Sequence, residues 1–520
     1  MQKNKSAKSS LYNRCLNGIE RVGNALPHPV TLFAIFALAI VVISAVCAAL
    51  GVSATGNLVS GGELKETTVT AVSLLTKEGL AYMVTNAVNN FTTYAPLGMV
   101  LVAMLGVGVA EQSGMINSLL KNVVRVTPKK LLTPMIVFLG IMSNVASDAG
   151  YVILIPLGAM MFRACGRHPL AGLAAAFAGV SGGFSANLVV GTLDPLLAGI
   201  SEAAAVMVDA NYKVQVMGNY FFMCASTVLL TILGTIITDK VVEPRLGTYS
   251  GELEGEEDNS LITVTDKEKK GLRNAGIAAL VFVGLIVAAC IPADSFFRNA
   301  KGELLGNTPL VNSIVVLIAL LFFVPGVAYG MTVGTFKDNK DVANSMSKAM
   351  ASMGSFLALA FVSAQFIKYF EYTKLGTIIA LSGAAFLKSI NIGLIPLAVI
   401  FVIFSAFMNL FMGSASAKWN ILAPVFVPMF MIMGYSPELC QLIYRIGDSC
   451  TNIITPMMTY YAVIIIFAQR YDKKAGIGTI TATMLPYSVC FLICWTLFLI
   501  VWLALGLPIG IATSVFYPAV

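Results

Sequence analysis

The chain has few charged residues and almost no histidine, and both shortages limit what it can be. Only 11% of its 520 residues are charged, against 57% apolar residues. With a mean hydropathy of +0.83, this composition is typical of a polytopic membrane protein and excludes a soluble one. The only histidines are His28 and His168, and the nine cysteines include no Cys-x-x-Cys pair. No zinc site is therefore expected. The net charge of +7 is spread over loops, so it does not indicate nucleic-acid binding.

The stretch Gly413–Pro456 is polar in an otherwise apolar part of the chain. Its polar and aromatic members include Lys418, Trp419, Asn420, Arg445, Asp448 and Asn452. A charge at bilayer depth costs at least ~2.5–3.5 kcal/mol, so such residues usually face a cavity. The ends of the stretch are rich in residues that break helices, and irregular backbone within a membrane survives only inside protein or beside water. The stretch therefore predicts a polar site in the membrane.

The same pattern occurs earlier in the chain. With an offset of 268 positions, Ala149–Ser181 aligns with Ala417–Ser449, and ten of 33 positions are identical. Two glycines and two prolines are among them: Pro156/Pro424, Gly166/Gly434, Pro169/Pro437 and Gly179/Gly447. The alternative is chance similarity between helices rich in small residues. Paired, interrupted hydrophobic segments in two halves are typical of the binding site of a secondary transporter.

Positive charge predicts how these segments enter the membrane. The apolar run Leu131–Phe162 is interrupted at Ser143–Asp148. Basic residues flank it on both sides: Lys121, Arg125, Lys129, Lys130, Arg163, Arg167 and His168. Because basic loops stay in the cytoplasm, this run is predicted to enter and return as a re-entrant hairpin. The run Ile395–Met431, with its tip at Gly413–Asn420, lacks such flanks and is predicted to enter from the outside.

The predicted fold is an all-α polytopic membrane protein, with about nine transmembrane helices and two re-entrant helical hairpins in an inverted repeat. The N-terminus is placed in the cytoplasm and the C-terminus outside. The predicted division is an N-terminal arm (1–28), scaffold helices (29–111), a first repeat (112–200), a scaffold helix (201–238), a cytoplasmic linker (239–273), scaffold helices (274–372), a second repeat (373–470) and a C-terminal helix (471–520).

Four motifs carry a resemblance to a known family. They are GRHPLAGLAAAFAGVSGGFSANLVVGTLDPLLAGIS, ITDKVVEPRLG, SASAKWNILAPVFVPMF and YRIGDS. They resemble the aminobenzoyl-glutamate transporter (AbgT) family, part of a wider group that includes divalent-anion sodium symporters. The resemblance implies a homodimer with nine transmembrane helices and two hairpins per protomer. It also implies transport of p-aminobenzoyl-glutamate or export of sulfonamide antimetabolites, and leaves the direction open.

The resemblance also implies roles for individual residues. The positions regarded as critical for transport match Asp194, Ser416, Trp419, Pro437 and Arg445, and those regarded as ion-site residues match Asn409 and Asp448. The sodium symporters carry Ser-Asn-Thr at both hairpin tips. Here the tips read Ser143-Asn144-Val145 and Ser414-Ala415-Ser416, so both depart from that pattern.

The chemistry of two residues suggests substrate contacts. Trp419 could stack on the aromatic ring of a substrate, and the alternative is an anchor at the membrane interface. Arg445 offers a planar fork for a carboxylate or sulfonyl group, and the alternative is an internal pair with Asp448, three residues away on one helix.

Other residues suggest a coupling ion. Asp194 has no basic residue close in sequence, so it is a candidate proton carrier. Asp448, Asn409, Asn452 and nearby carbonyls offer oxygen ligands for a small cation such as sodium; no other metal and no cofactor is expected. Further candidates at the polar breaks are Asn144, Ser147, Asp148 and Asn187.

These observations together predict a secondary transporter, driven by a proton or sodium gradient, in the bacterial inner membrane. Its predicted partners are the lipid bilayer and a small aromatic anion, with no nucleic acid. The alternative substrate class is a dicarboxylate imported with sodium. A channel would need a continuous polar pore, and an enzyme would need a nucleophile with a base or a metal; neither pattern is present in the sequence.

Overall fold

The structure is a computed structural model that describes residues 27–60, 63–146, 150–249, 264–304 and 308–517. Within these ranges seven helices are long and apolar enough to cross a membrane, or nine if each of two bent pairs forms one span. The upper count equals the predicted number, but it includes Ala415–Ile432, which is an arm of the second hairpin. The linker's acidic cluster at 252–257 and positions 1–26 of the N-terminal arm lie outside the described residues.

The helices of the first half are numbered α1 to α11, and the last of them lies at the start of the linker (239–273). They are α1 (Pro29–Ala49), α2 (Lys77–Thr85), α3 (Ala87–Thr92), α4 (Ala95–Gln112), α5 (Met115–Val126), α6 (Leu132–Ser143), α7 (Ile155–Ala164), α8 (Pro169–Phe177), α9 (Leu193–Ala205), α10 (Tyr220–Ile237) and α11 (Glu243–Leu246). Short 3-10 turns cover Lys129–Leu131 and Asn144–Ala146, and π-helical turns cover Gly150–Leu154, Ala178–Gly182 and Thr238–Val242.

The second half follows the same sequence of scaffold, hairpin and broken helix. Its helices are α12 (Asp266–Cys290), α13 (Pro309–Asn312), α14 (Ile314–Val333), α15 (Asn339–Ser352), α16 (Gly354–Tyr372), α17 (Leu375–Ser389), α18 (Leu394–Asn409), α19 (Ala415–Ile432), α20 (Pro437–Thr451), α21 (Tyr461–Gln469) and α22 (Ile477–Ala504).

One element departs from the all-α prediction. Residues Ser53–Ser60 (β1) and Glu63–Thr70 (β2) form a two-stranded antiparallel hairpin after α1. The end of β2 reads Thr67-Thr68-Val69-Thr70, and such β-branched residues favour strands. The predicted division placed this segment among the scaffold helices (29–111), and the strand pair is a small addition to a mostly helical fold.

The first predicted hairpin is present. Helix α6 has 12 residues, a rise of about 18 Å, and the chain then returns through Gly150–Leu154 and α7. The two ends of this excursion meet, because the Arg167 guanidinium donates a 2.7 Å hydrogen bond to the Thr133 hydroxyl. Residues 131–164, here called hairpin 1, therefore enter and leave at one face. The predicted tip residues Ser147 and Asp148 lie outside the described residues.

The second predicted hairpin, hairpin 2, comprises residues 394–432. Its arms α18 and α19 run side by side, with the rings of Phe401 and Phe426 stacked at 4.4 Å between centroids. Phe401 also packs on Phe430, one turn further along α19. The turn between the arms covers residues 410–414 and places Ser414 as the N-cap of α19. The first arm, α18, has 16 residues and is short of a full membrane span.

The two hairpins begin at opposite ends of helix α10. At the C-terminal end of α10, Asp239 forms a 2.6 Å ion pair with Arg167 at the base of hairpin 1. At its N-terminal end, the segment 509–517 makes 3.0 Å backbone hydrogen bonds to Met217 and to Ser436, which follows hairpin 2. Because α10 has 18 residues and spans about 27 Å, the bases lie on opposite faces. This arrangement agrees with the predicted inverted repeat.

Matching glycines end the second arm of each hairpin. Gly166 has φ +75° and Gly434 has φ +88°, a left-handed conformation that favours glycine. The residue after each glycine donates its backbone N–H back to a phenylalanine carbonyl at 2.9 Å: Arg167 to Phe162 and Tyr435 to Phe430. Positions that are 268 residues apart therefore share local backbone geometry as well as residue type at these glycines.

A second pair of glycines lets each broken helix cross its hairpin at backbone contact. A Cβ added to Gly179 would lie 2.3 Å from the Val137 carbonyl oxygen, and one added to Gly447 would lie 2.4 Å from that of Val402. Both carbonyls belong to the first arm of a hairpin. Only a residue without a side chain fits such a crossing, which explains the shared glycine at this position.

Candidate functional site

Four interruptions of helical structure meet in the centre of the molecule. Two are the hairpin tips at 144–146 and 410–414, and two are the unwound segments 183–192 and 452–460 that divide the broken helices. These segments leave backbone groups without helical partners, a condition tolerated in a membrane only next to protein or a wet cavity. The predicted pair of interrupted segments is confirmed, and the unwound part of the first broken helix begins at residue 183.

These interruptions enclose a cavity of about 350 Å³. Its lining residues are Val100, Met104, Asn144, Tyr151, Phe184, Thr192, Leu193, Leu196, Met353, Phe356, Gly413, Ser414, Ala415, Ser416, Met458, Thr459 and Tyr460. Both hairpin tips contribute, through Asn144 from hairpin 1 and Gly413–Ser416 from hairpin 2. Residues of both tips therefore reach one site. The volume is at the lower end of the usual range for small-molecule pockets, about 300–1,000 Å³.

The polar groups at the cavity wall include the N-terminal ends of two helices. Its lining, among the described residues, contains no Asp, Glu, Lys or Arg. Two helices begin at its wall: α9 next to Thr192, and α19 at its N-cap Ser414. Helix N-termini present backbone N–H groups and partial positive charge, and they bind carboxylates and other anions. The cavity therefore suits a small anion with an apolar or aromatic body.

An aromatic pair forms part of the same wall. The rings of Tyr151 and Tyr460 stack at 4.7 Å between centroids with 9° between their planes. Tyr151 follows the tip of hairpin 1, and Tyr460 ends the unwound segment of the second broken helix. The two repeats thus contribute one ring each. Neither tyrosine was predicted as a site residue, although Tyr151 aligns with Trp419 at the offset of 268.

Trp419 itself does not face the cavity. It is fully buried, its ring stacks on Tyr444 at 4.4 Å, and its indole N–H donates a 3.0 Å hydrogen bond to the Ser201 hydroxyl. Its stacking partner in this structure is Tyr444, and stacking of Trp419 on a substrate ring stays a prediction. The residue lies one turn into α19, where it joins hairpin 2 to α9 and α20.

Arg445 and Asp194 form a buried ion pair between the two repeats. The Arg445 Nη1 atom lies 2.7 Å from Asp194 Oδ1, and Nη2 donates to the Ser185 carbonyl at 2.8 Å. The other Asp194 oxygen accepts the Gly191 backbone N–H at 2.8 Å. Asp194 therefore has a basic partner that is distant in sequence, and Arg445 pairs with Asp194 in place of the alternative partner Asp448. The sequence did not predict this contact, because the two residues are 251 positions apart.

Asp448 pairs instead with Lys418. The ammonium Nζ lies 2.6 Å from Asp448 Oδ1, donates to the Asn409 side-chain oxygen, and donates to the Met412 carbonyl at 3.2 Å. The Asn409 amide donates to Asn452 Oδ1 at 2.8 Å. The oxygens predicted to bind a small cation are therefore brought together, but around a lysine ammonium. Lys418 was noted in the sequence only as a charge near the tip.

The remaining predicted residues lie at different distances from the cavity. Ser416 and Asn144 line it, and the buried Asn144 Oδ1 atom has no hydrogen-bond partner among the residues that the structure describes. Asn187 is buried with Asp194 in a smaller cleft beside it. Pro437 does not line it, because it is the first residue of α20, next to the base of hairpin 2. In this structure Pro437 starts a helix, and its substrate contact stays a prediction.

Comparisons with known proteins agree on one family. The model of the AbgT putative transporter family matches residues 14–517. The p-aminobenzoyl-glutamate transport protein of Escherichia coli (strain K12) is 39% identical over 502 residues, covering 96% of this chain and 97% of that protein.

Two solved structures have the same fold. The Alcanivorax borkumensis YdaH transporter is 43% identical with a TM-score of 0.87, covering 93% of this chain and 100% of that one. Neisseria gonorrhoeae MtrF, described as one of a class of antimetabolite efflux pumps, is 46% identical with a TM-score of 0.89, covering 94% of this chain and 97% of that one.

Proposed function

The chain belongs to the AbgT family of membrane transporters, and we propose that it moves aromatic anions resembling p-aminobenzoyl-glutamate, or exports sulfonamide antimetabolites. The proposal covers both because one relative is named for p-aminobenzoyl-glutamate transport and another is described as an efflux pump. The transport direction of this chain follows from neither name.

The cavity between the hairpin tips carries the proposal. The substrate's ring would lie against Tyr151 and Tyr460, and its carboxylate or sulfonyl oxygens would accept N–H groups at the starts of α9 and α19. Ser416 lines the same wall and offers a hydroxyl. An aliphatic dicarboxylate would leave the aromatic wall without a partner, so this lining favours an aromatic substrate.

The Arg445–Asp194 ion pair gives a route for coupling. We infer that Arg445 can meet a substrate anion only after its pair with Asp194 opens, because both groups are now buried and paired. A proton taken up by Asp194 would remove its charge and release the guanidinium. A proton gradient is the coupling source that this contact supports, and a sodium gradient remains the alternative.

The location and assembly follow from the same family. We propose the bacterial inner membrane, with the N-terminus and the base of hairpin 1 at the cytoplasmic face. The base of hairpin 1 and the linker, which carries six Lys and Arg residues, are both at the C-terminal end of α10, which agrees with the positive-inside rule. A homodimer is proposed on the resemblance to the family alone.

Counterflow in proteoliposomes tests the function. Vesicles loaded with unlabelled p-aminobenzoyl-glutamate should accumulate the labelled compound, and external sulfonamide should compete. Succinate should not compete; if succinate exchanges and p-aminobenzoyl-glutamate does not, the dicarboxylate alternative replaces the proposal. Running the assay under a pH gradient without sodium, and the reverse, separates the two coupling ions.

A matched pair of variants separates the cavity from the fold. Ser416→Val changes the lining and should weaken exchange, whereas Ser363→Ala alters a buried hydroxyl of α16 outside the cavity and should leave exchange unchanged. Equal losses in both variants would mean that the cavity is not the binding site.

A further inference from the structure

The second repeat holds a charged group inside a cage of oxygen atoms. Lys418 is fully buried, and its ammonium contacts a carboxylate oxygen of Asp448, an amide oxygen of Asn409 and the backbone oxygen of Met412. The Met412 carbonyl belongs to the unwound turn of hairpin 2. Unwound backbone carbonyls bind sodium in secondary transporters, and carboxylate and amide oxygens are ligands that hard cations prefer.

The orientation of the cage is fixed by further hydrogen bonds. The Asn409 amide nitrogen donates to the Asp448 carbonyl at 2.6 Å, to the Thr451 hydroxyl at 2.9 Å and to Asn452 Oδ1 at 2.8 Å. With its nitrogen so engaged, Asn409 turns its oxygen to the ammonium. The second contact of Asp448 Oδ1 is with the Tyr444 hydroxyl, which donates at 3.1 Å.

A sodium ion does not fit beside this ammonium. The cage has one carboxylate, and Lys418 already balances it at 2.6 Å. A second cation sharing these oxygens would lie within a few ångströms of Nζ, where like charges repel strongly at low dielectric. The oxygens of Asp448 and Asn409, which the sequence predicted to bind a cation, therefore already contact one, the Lys418 ammonium.

We propose that the Lys418 ammonium takes the place of an alkali cation, so that the tip of hairpin 2 is held against α20 by a covalently attached ion. This inference rests on the proposed function only in treating the hairpins as the transport core. Its consequence is that wild-type protein needs no sodium to order hairpin 2, and that removal of the ammonium leaves a negatively charged oxygen cage open to sodium.

The first repeat supports this reading by contrast. At the offset of 268, Gly150 stands in place of Lys418 and Val180 in place of Asp448. A Cβ on Gly150 would lie 2.0 Å from the Ser143 hydroxyl oxygen, so the space is filled by neighbouring chain. At these two aligned positions the first repeat thus has neither the carboxylate nor the ammonium.

The test measures thermal unfolding of purified protein in sodium chloride, potassium chloride or choline chloride at one ionic strength. Wild type should melt at the same temperature in all three. Lys418→Ala should melt lower in choline chloride and be raised by sodium in a saturable way, on the order of a few degrees. Lys368→Ala is the control, because it removes an ion pair with Glu371 at the surface and should show no sodium effect.

A second variant and a second readout keep the test decisive. Lys418→Gln retains a donor to Asn409 without the charge and should gain the same sodium response if Lys418→Ala does not fold. Wild type should not bind radioactive sodium. Sodium-specific stabilisation or sodium binding by wild type would overturn the proposal, and so would a folded Lys418 variant without a sodium response.

These measurements use no substrate, so they are independent of the transport assay. If counterflow fails for every compound while Lys418→Ala gains a sodium response, the proposed function fails and the assignment of Lys418 stands. If counterflow succeeds but wild type binds sodium, the assignment of Lys418 fails and the proposed function stands.

Discussion

The two repeats share a backbone but differ in chemistry. Gly166 and Gly434 end a hairpin arm in the same conformation, and Gly179 and Gly447 allow the same close crossing. At positions where the second repeat has Arg445 and Asp448, the first has Phe177 and Val180. The shared residues are those that the backbone geometry requires, whereas the differing ones carry charge.

This difference shows that the repeats have separate tasks. The second repeat carries the basic residues of the core, Lys418 and Arg445, and the first contributes Asp194 as the partner of Arg445. The Lys418–Asp448 pair lies within the second repeat, whereas the Arg445–Asp194 pair joins the two repeats. Relative motion of the repeats would therefore strain the Arg445–Asp194 pair and leave the Lys418–Asp448 pair intact.

The largest expected effect comes from the ion pair between the repeats. Arg445→Met leaves a buried carboxylate unpaired and should cost about 3–5 kcal/mol of stability. Asp194→Asn should abolish transport driven by a pH gradient while leaving part of the substrate binding. Unfolding in detergent and proteoliposome uptake measure the two effects.

The double variant Asp194→Asn/Arg445→Met checks this interpretation. It should be more stable than Arg445→Met alone, because neither buried charge is left without a partner. Normal uptake by Asp194→Asn under a pH gradient alone would rule out a proton-carrying role for Asp194.

The shared glycines should respond alike in both repeats. Gly179→Ala and Gly447→Ala each force a methyl group against a backbone carbonyl and should cost about 1–3 kcal/mol. Gly276→Ala is the control, because a Cβ there has no neighbour within 4 Å. A loss in only one of the two repeats, measured by thermal unfolding, would show that the crossings are not equivalent.

The aromatic residues after the two tips should respond differently. Tyr151→Leu should weaken aromatic substrates by about 1–3 kcal/mol, a value borrowed from stacking on nucleic-acid bases. Trp419→Phe should lose the hydrogen bond to Ser201, about 0.5–1.5 kcal/mol of stability, with little change in affinity. Binding titrations and melting curves separate the two, and a larger affinity loss for Trp419→Phe would reverse the assignment.

The smallest effect concerns the residues that cap the two broken helices. His168 Nδ1 accepts the Leu170 backbone N–H, whereas the aligned Ser436 accepts that of Leu439 through its hydroxyl. Burial lowers the pKa of His168, although Glu243 and Asp472 act in the opposite direction.

The sign of the resulting pH dependence follows from this lower pKa. The unfolded chain, with a His pKa of about 6.5, binds the proton more tightly than the folded one. The contribution of His168 to stability should be complete above that pH and decrease as the pH falls below it. Melting curves of His168→Ser should lose this pH dependence; an unchanged dependence would assign it to another group.

The sequence predicted the repeat because backbone geometry restricts residue type. A left-handed turn at Gly434 and a crossing at Gly447 admit glycine, and a helix start admits Pro437, so these positions repeat visibly. The same logic predicted the hairpins and the breaks. It could not predict the strand pair β1–β2, which lies outside the repeated core.

Side-chain partners could not be predicted in the same way. The i,i+3 spacing suggested a pair between Arg445 and Asp448, but Arg445 turns to Asp194 from the other repeat. Asp448 is then free to meet Lys418, which reaches back over the turn of hairpin 2 to Asn409. Which of several nearby charges pair depends on how the two repeats pack, and local spacing contains no information about that packing.

The segment 509–517 has a consequence for the order of biosynthesis. Its backbone bonds to Met217 and Ser436 connect α10 to the base of hairpin 2. A ribosome makes these residues after every helix of the core, so hairpin 2 must enter the membrane before its base has these partners. The base of hairpin 2 therefore lacks these backbone partners until this segment emerges. Nascent chains that stop before residue 509 should expose the base of hairpin 2 to proteases, although all transmembrane helices have been made.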